Sequence, residues 1–295
     1  MLVRRGGKAP VAALRGTLEE IAAHFEGKTE AILQRYGPGP RVHYHAGMVD
    51  DPPAADASAQ TLCSQLVEAQ ERMLYHASKV WNASANLRGD VLDVGCGLGG
   101  GAIFWAQEFG ARVTAVTCVP SHVDWVSRFA ARAGVESRVF PVLCDALDMP
   151  GENCFDAAVA VDSSCYLARR KWFQRLASLL RPGGRVLIAD CFLGDSQYQT
   201  QFNRYWRTRI GSVDEYLSSA SRAGLEVESF EDISHRTKNF WTRTLALIQA
   251  EMKDINPNAA GATTRYDASV RAHSLMRKGL AEKGLRYAVM SFSKA

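Results

Sequence analysis

The stretch Val91-Leu-Asp-Val-Gly-Cys-Gly-Leu-Gly-Gly100 sets four glycines within six positions, directly behind an apolar run. Glycine reaches backbone angles and close approaches that a Cβ forbids. A buried strand that ends in such a loop and runs into a helix lets a bulky, nucleotide-type cofactor lie against bare backbone. The helix follows at once as Ala102-Ile-Phe-Trp-Ala-Gln-Glu-Phe109. Three further groups of residues have types suited to chemistry. His43-Tyr-His45-Ala-Gly47 lies near the N-terminus. Ala160-Val-Asp-Ser-Ser-Cys-Tyr166 follows a predicted strand. Phe202, Tyr205 and Trp206 form an aromatic cluster, with Phe240 and Trp241 further on.

The elements that must position these residues can be read from periodicity. Residues 1–16, with Arg4, Arg5, Lys8 and Arg15, read as a solvated, disordered tail. An amphipathic helix is expected over 17–36, stopped by Gly37-Pro-Gly-Pro40, and a second helix over 58–82. From residue 90 strands and helices alternate. Strands are predicted at 90–94, 112–117, 138–143, 156–161 and 184–191, with helices at 100–109, 121–133 and 169–179. That rhythm predicts a parallel sheet covered on both faces. Arg181-Pro-Gly-Gly184 reads as a sharp turn before the fifth strand. A helical region (197–223), a strand (225–231), helices (238–253 and 266–283) and a last strand (285–292) follow, and Asn256–Thr264 reads as a loop.

The chain has 295 residues, 47% of them hydrophobic and 22% charged, which suits one large domain or a domain plus a cap. A net charge of +4 is far from a nucleic-acid-binding footprint, so no nucleic-acid partner is expected. No apolar stretch is long enough to span a bilayer, and no signal peptide is read at the N-terminus. The seven cysteines are scattered and never spaced CxxC. They read as buried or pocket-lining thiols in a reducing, cytoplasmic setting, not as disulfides or a zinc site.

The order Asp93, Gly95-x-Gly97-x-Gly99 resembles motif I of the class I S-adenosylmethionine-dependent methyltransferases. Val113-Thr-Ala-Val-Thr-Cys-Val-Pro-Ser121 resembles their second strand and ribose-side loop, and Cys144-Asp-Ala146 their adenine-contacting segment. Leu180-Arg-Pro-Gly-Gly-Arg-Val-Leu187 resembles the turn before their fifth strand. The resemblance covers roughly residues 85–295. It implies an α/β fold, a Rossmann-like methyltransferase sheet with an N-terminal helical cap, and S-adenosyl-L-methionine as cofactor. The cap with its tail would be residues 1–84. The methyltransferase domain would be 85–295, with helical insertions at 195–224 and 238–283. The cofactor set it implies is Asp93, Gly95, Cys96, Gly97, Gly99, Thr117, Asp145 and Ala146. Asp93 either meets the ammonium side of the cofactor or caps the loop. Thr117 is a departure, because many relatives carry an acid there that holds both ribose hydroxyls.

The acceptor side resembles the geranyl diphosphate C-methyltransferases and related terpenoid C-methyltransferases, teleocidin-type methyltransferase-cyclases included. The resemblance rests on His43, His45 and Gly47, on Asp162 with Ser163, Ser164 and Tyr166, and on Trp206 upstream of Glu215-Tyr-Leu217. It implies catalytic roles for Asp162, Trp206, His45 and Tyr44, and acceptor contacts from His43, Tyr166, Phe202, Tyr205 and Trp241. Asp162 stands where that family has Glu, one methylene longer. Attack of an alkene on a sulfonium methyl leaves a carbocation, which aromatic faces stabilise and a carboxylate can deprotonate. Tyr205 and Trp206 are adjacent, so on a helix at most one is expected to face the pocket. Arg204, Arg207 and Arg209 are candidates for holding a diphosphate, and Mg2+ enters only if the acceptor is one. His43 and His45 are expected to bond Asp162 or a polar substrate end, with no third metal ligand in view. Arg169-Arg-Lys171 reads as a solvated helix start. An O- or N-methyltransferase of a small natural product stays open as the alternative, as does a non-catalytic cofactor-binding partner. A homo-oligomer is expected from the cap.

Overall fold

The computed structural model describes residues 17–54, 57–253 and 262–295. The expected disordered tail, and most of the expected loop at Asn256–Thr264, lie outside them. Five strands run parallel: β1 (Asp90–Val94), β2 (Arg112–Thr117), β3 (Val139–Leu143), β4 (Phe155–Val161) and β5 (Leu180–Leu193). Two more, β6 (Leu225–Asp232) and β7 (Leu285–Lys294), complete the order β3-β2-β1-β4-β5-β7-β6. The parallel pairing expected of the first five strands is therefore present, and the two last strands make the sheet mixed. β7 enters antiparallel between β5 and β6, pairing Ala189 with Val289 and Val227 with Phe292.

Side chains of a strand alternate between faces, and each face here has its own core. Val91, Val113, Ala157, Leu187, Tyr287 and Val289 pack on one side. There they meet α3 (Ala59–Val80), α5 (Gly100–Phe109) and α6 (Pro120–Arg132), together with α10 (Ser234–Lys253) and α11 (Ala262–Ala281). Leu92, Val94, Ala158, Ile188 and Met290 pack on the other, against α7 (Arg169–Leu179) and α9 (Val213–Ser221). The order reverses between β1 and β4. Open α/β sheets form their ligand crevice at the carboxyl ends of the strands at such a point.

The single helix expected over 17–36 is two, α1 (Leu18–Glu26) and α2 (Thr29–Tyr36). A capping box at Thr17 and Glu20 starts α1, and Gly27 ends it by donating its N–H to the Ala23 carbonyl at 3.1 Å. Thr29 Oγ1 then hydrogen-bonds the Phe25 carbonyl (3.0 Å) and His122 Nε2 on α6 (3.0 Å), which fixes the break over the sheet. The helical region expected at 197–223 is likewise divided, into α8 (Gln199–Trp206) and α9, with a short 3-10 turn at Ser196–Tyr198. The turn expected at Arg181–Gly184 is an outward bulge inside β5. Phe155 pairs with Leu180 and Ala157 with Arg185, so the residues between are looped out, with Gly183 at φ +75°. A four-residue helix α4 (Ala83–Asn86) joins α3 to β1.

Candidate active site

The glycine loop closes the carboxyl end of β1. Gly95, Gly97 and Gly99 hold φ of +71°, +54° and +84°. A Cβ at Gly97 would meet nothing within 4 Å, so bare backbone borders open space. That space is a cavity of about 160 Å³, lined among others by Asp93, Cys96, Gly97, Thr117, Asp145 and Ala146. Gly99 is not among the residues that line the cavity, although its neighbours Leu98 and Gly100 are. It sits at the N-cap of α5, where a Cβ would lie 2.9 Å from Val126 of α6, so its bareness serves helix packing. Asp93 is 5% exposed, and burial without a cationic neighbour pushes its carboxyl up to about 7. Thr117 Oγ1 accepts the Val119 N–H at 3.1 Å, and Asp145 Oδ1 accepts the Leu147 N–H at 2.9 Å. Each side chain thus shapes its own turn and keeps further hydrogen-bonding capacity facing the cavity.

A second cavity, of about 730 Å³, lies behind the same wall. Tyr44, His45, Asp162 and Tyr166 line both spaces. Phe202, Tyr205, Trp206, Phe240 and Trp241 line only the larger one, whose surface is mainly aromatic and aliphatic. Asp162 follows β4 in the left-handed region at φ +48°, its N–H donating to the Ala189 carbonyl (2.9 Å) and its Oδ2 accepting the Ala46 N–H at 2.6 Å. One hydrogen bond therefore ties the acid to the His43–Gly47 segment. That segment is itself held by α3. Gln70 Nε2 donates to the His45 carbonyl (2.9 Å), and Met48 N–H donates to the Ala69 carbonyl (2.9 Å). A Cβ at Gly47 would lie 2.7 Å from both the Ala69 carbonyl carbon and the Phe240 ring.

A residue missed in the sequence stands beside Asp162. Asp190 sits on β5, next in register after the Val161–Ala189 pair, and it lines the larger cavity while only 1% exposed. Ser164 Oγ donates to it at 2.5 Å, Cys191 N–H at 2.7 Å and Cys165 N–H at 3.2 Å. Burial pushes both carboxyls above the usual range, and the charge of Asp190 raises Asp162 further. Asp190 receives three donors whereas Asp162 receives the Ala46 N–H and faces the Tyr287 hydroxyl. The negative charge of the pair therefore rests more easily on Asp190, and Asp162 holds its proton longer. An acid inside the apolar run Val186–Leu193 was the available signal.

The remaining expectations divide. The aromatic residues are brought together, and Tyr205 and Trp206 both line the chamber, contrary to the helical-spacing argument. α8 ends at Trp206, where Arg207 turns left-handed at φ +56°, and the chamber wraps that helix end. His43 does not reach the larger chamber or Asp162. Its Nε2 hydrogen-bonds Glu71 (2.7 Å), and its ring covers Gly100 at the smaller cavity. His45 engages the Ala46 carbonyl through Nδ1 at 2.8 Å, leaving Nε2 without a partner. Burial and the neighbouring His43 push its pKa down to about 3. Arg204, Arg207 and Arg209 are exposed and line neither cavity. The cationic side chains in the chamber are Lys28 and Arg35, from the broken helix. Arg169 is not solvated. It is buried against Glu215 (3.1 Å) and donates to the Arg209 carbonyl (2.5 Å), while Arg170 and Lys171 are exposed. All seven cysteines are free thiols, and Cys96, Cys118, Cys144, Cys165 and Cys191 line one cavity or the other.

Fold and crevice define a Rossmann-like enzyme with a glycine-lined pocket set against a buried chamber. A family model described as a methyltransferase domain matches residues 91–184. Methyltransferase GfsG of Streptomyces halstedii is 31% identical over 229 residues, covering 74% of this chain and 77% of that protein. The 27-O-demethylrifamycin SV methyltransferase of Amycolatopsis mediterranei (strain S699) is 29% identical over 237 residues, covering 77% and 81%. A geranyl diphosphate 2-C-methyltransferase of Streptomyces lasalocidi is 29% identical over 241 residues, covering 76% and 78%. The solved structure of a geranyl diphosphate methyltransferase with GPP and sinefungin shares the fold, with a TM-score of 0.77 at 20% identity over 94% of this chain and 99% of that one. The chain belongs to the class I S-adenosylmethionine-dependent methyltransferases. The residues fit that cofactor: bare glycine backbone borders the smaller cavity, and the buried carboxylate of Asp93 lacks the counter-charge that an ammonium brings. Among the described residues no helix is long and apolar enough to cross a membrane.

Proposed function

We propose that this enzyme methylates an alkene carbon of an isoprenoid acceptor held in the larger chamber. The observation that carries the reading is the shared wall. Asp162 borders both the glycine-lined cavity and an aromatic chamber of about 730 Å³, so donor and acceptor meet at a carboxylate. The relative named as a geranyl diphosphate 2-C-methyltransferase supports the acceptor class.

S-adenosylmethionine supplies an electrophilic methyl when bound. In this reading Gly95, Gly97, Cys96 and Ala146 border the cofactor. Asp93 meets its ammonium, and Thr117 and Asp145 offer hydrogen bonds to its ribose and adenine. Tyr44, Tyr166 and Phe202 hold the alkene against the wall and keep water out, which is mainly positioning. The faces of Trp206 and its neighbours stabilise positive charge left on the acceptor by roughly 0.5–2 kcal/mol each. The Asp162–Asp190 pair then takes the proton, or the cation cyclises. Mg2+ belongs to this reading only where the acceptor is a diphosphate.

O-methylation is the second reading, favoured by the rifamycin-type relative and by the free His45 Nε2. A nitrogen whose pKa lies near 3 is a weak base for a hydroxyl, which sets His45 against that role. Mass spectrometry and NMR of products from prenyl diphosphates and neutral prenylated aromatics decide. A new carbon–carbon bond is the expected result, and a methyl found only on oxygen overturns the proposal.

A further inference from the structure

The acceptor chamber contains a cation of its own. Lys28 Nζ lies 5.1 Å from the Tyr205 ring centroid, 5.3 Å from that of Trp206 and 6.0 Å from that of Tyr44. It forms no ion pair among the described residues. Burial pushes its pKa down to about 8, and no carboxylate offsets that effect. Its neighbour Arg35 is already matched, holding Glu251 through Nε (3.1 Å) and a second nitrogen (2.5 Å). Two further donors line the same chamber unsatisfied. The indole N–H groups of Trp206 and Trp241 are buried and have no hydrogen-bond partner among the described residues, their rings are 6.2 Å apart, and Trp241 is only 6% exposed.

This arrangement bears directly on the aromatic faces. A carbocation at Trp206 would share that ring with an ammonium, and like charges in a dry cavity repel strongly. An anion at Lys28 removes the conflict and satisfies the orphaned donors, because charge-assisted hydrogen bonds are the strong ones. We propose that Lys28, with the indole N–H groups of Trp206 and Trp241, receives an anionic group of the acceptor, a carboxylate or a phosphate, so that the chamber selects acidic amphipathic acceptors over neutral ones of the same chain. The inference rests on the reading of the larger cavity as the acceptor site. Lys28 then comes from the break between α1 and α2, Trp206 from α8 and Trp241 from α10, while Asp162 borders the same chamber directly after β4.

The test has two parts. Inorganic diphosphate, with and without Mg2+, and octanoate are titrated into the enzyme holding S-adenosylhomocysteine, followed by calorimetry and tryptophan fluorescence. Saturable, salt-sensitive binding of at least one anion is expected, weakened at least about tenfold by Lys28→Met and largely restored by Lys28→Arg. Phosphate and carboxylate are told apart by which probe binds. Binding of neither, or equal binding to Lys28→Met, overturns the inference. Geranyl diphosphate, geranic acid and geraniol are then compared as acceptors. Lys28→Met is expected to raise KM for the acidic members and to raise the slow turnover of geraniol, because it removes the uncompensated ammonium beside the Trp206 ring. Efficient carbon methylation of geraniol by the wild type defeats this inference while leaving the proposed reaction standing. Methylation on oxygen defeats the proposed reaction whatever the anion binding shows.

Discussion

Asp162 is held by its own backbone, in a left-handed conformation that L side chains rarely adopt, and by the Ala46 N–H. Its carboxyl faces Asp190, Tyr287, Cys165, Cys191, Tyr166 and His45. No cation stands among them, so its proton is retained above the usual carboxylate range. Asp162→Asn is expected to bind S-adenosylhomocysteine normally and to lose roughly 100-fold or more in turnover, or to change the product pattern. Unaltered rates and products would remove Asp162 from the chemistry. Asp190 acts on it through charge. A base that must be ionised gives a rate that rises with pH, and a nearby negative charge moves that rise upward. Asp190→Asn removes the charge, so the rising limb of the pH–rate profile moves to lower pH. A limb that stays in place while turnover falls would leave Asp190 a purely structural role.

At the scale of elements, the site depends on α3 holding the His43–Gly47 segment against Asp162. Gly47→Ala drives a methyl into the Ala69 backbone and the Phe240 ring, contacts that cannot both relax. Overpacking of this kind costs about 1–3 kcal/mol. A lowered Tm with a larger proportional loss of turnover is expected, because the segment carries the Ala46 donor. An alanine variant as stable and active as the wild type would show that the segment gives way freely. Local signals carried most of this architecture. α5 and α7 span the residues their periodicity predicts, and the glycine loop identifies the cofactor cavity unaided. The failures are long-range. Gly27 divides a helix whose apolar pattern continues across the break, so no local signal marks Lys28 and Arg35 as residues of the chamber. The direction of β7 is set by its pairing with β5 and β6, which no local pattern encodes. Asp190 lies in a strand that otherwise reads as core, and only register brings it beside Asp162.

The whole molecule buries charge-bearing groups of both kinds around its two cavities, and this sets its stability against pH. Burial pushes His24, His122 and His273 down to about 4 and His45 to about 3. A depressed histidine costs stability as pH falls below its unfolded value of 6.5, because the unfolded chain takes up a proton that the native one refuses. The acids act in the opposite sense. Asp93 is raised to about 7, and Asp162 and Asp190 are raised as a pair. The native state keeps protons that the unfolded chain has already released, so stability declines as pH rises from the ordinary aspartate range through the native values. Below pH 6.5 the two groups oppose each other. About one pH unit above it the histidines are neutral in both states, Lys28 does not titrate until about 8, and the acids dominate. Each proton fully retained contributes a slope of about 1.4 kcal/mol per pH unit, and about 1 kcal/mol moves Tm by roughly 2–4 °C in a domain near this size. The free enzyme should therefore lose several degrees of Tm between pH 6.5 and 8 in calorimetric scans. In the proposed binding mode the ammonium of S-adenosylhomocysteine meets an ionised Asp93, so saturating S-adenosylhomocysteine should flatten that decline. A Tm that climbs steadily to pH 8 would mean that Asp93, Asp162 and Asp190 are ionised without cost, and that bound water or relaxation already provides the counter-charge.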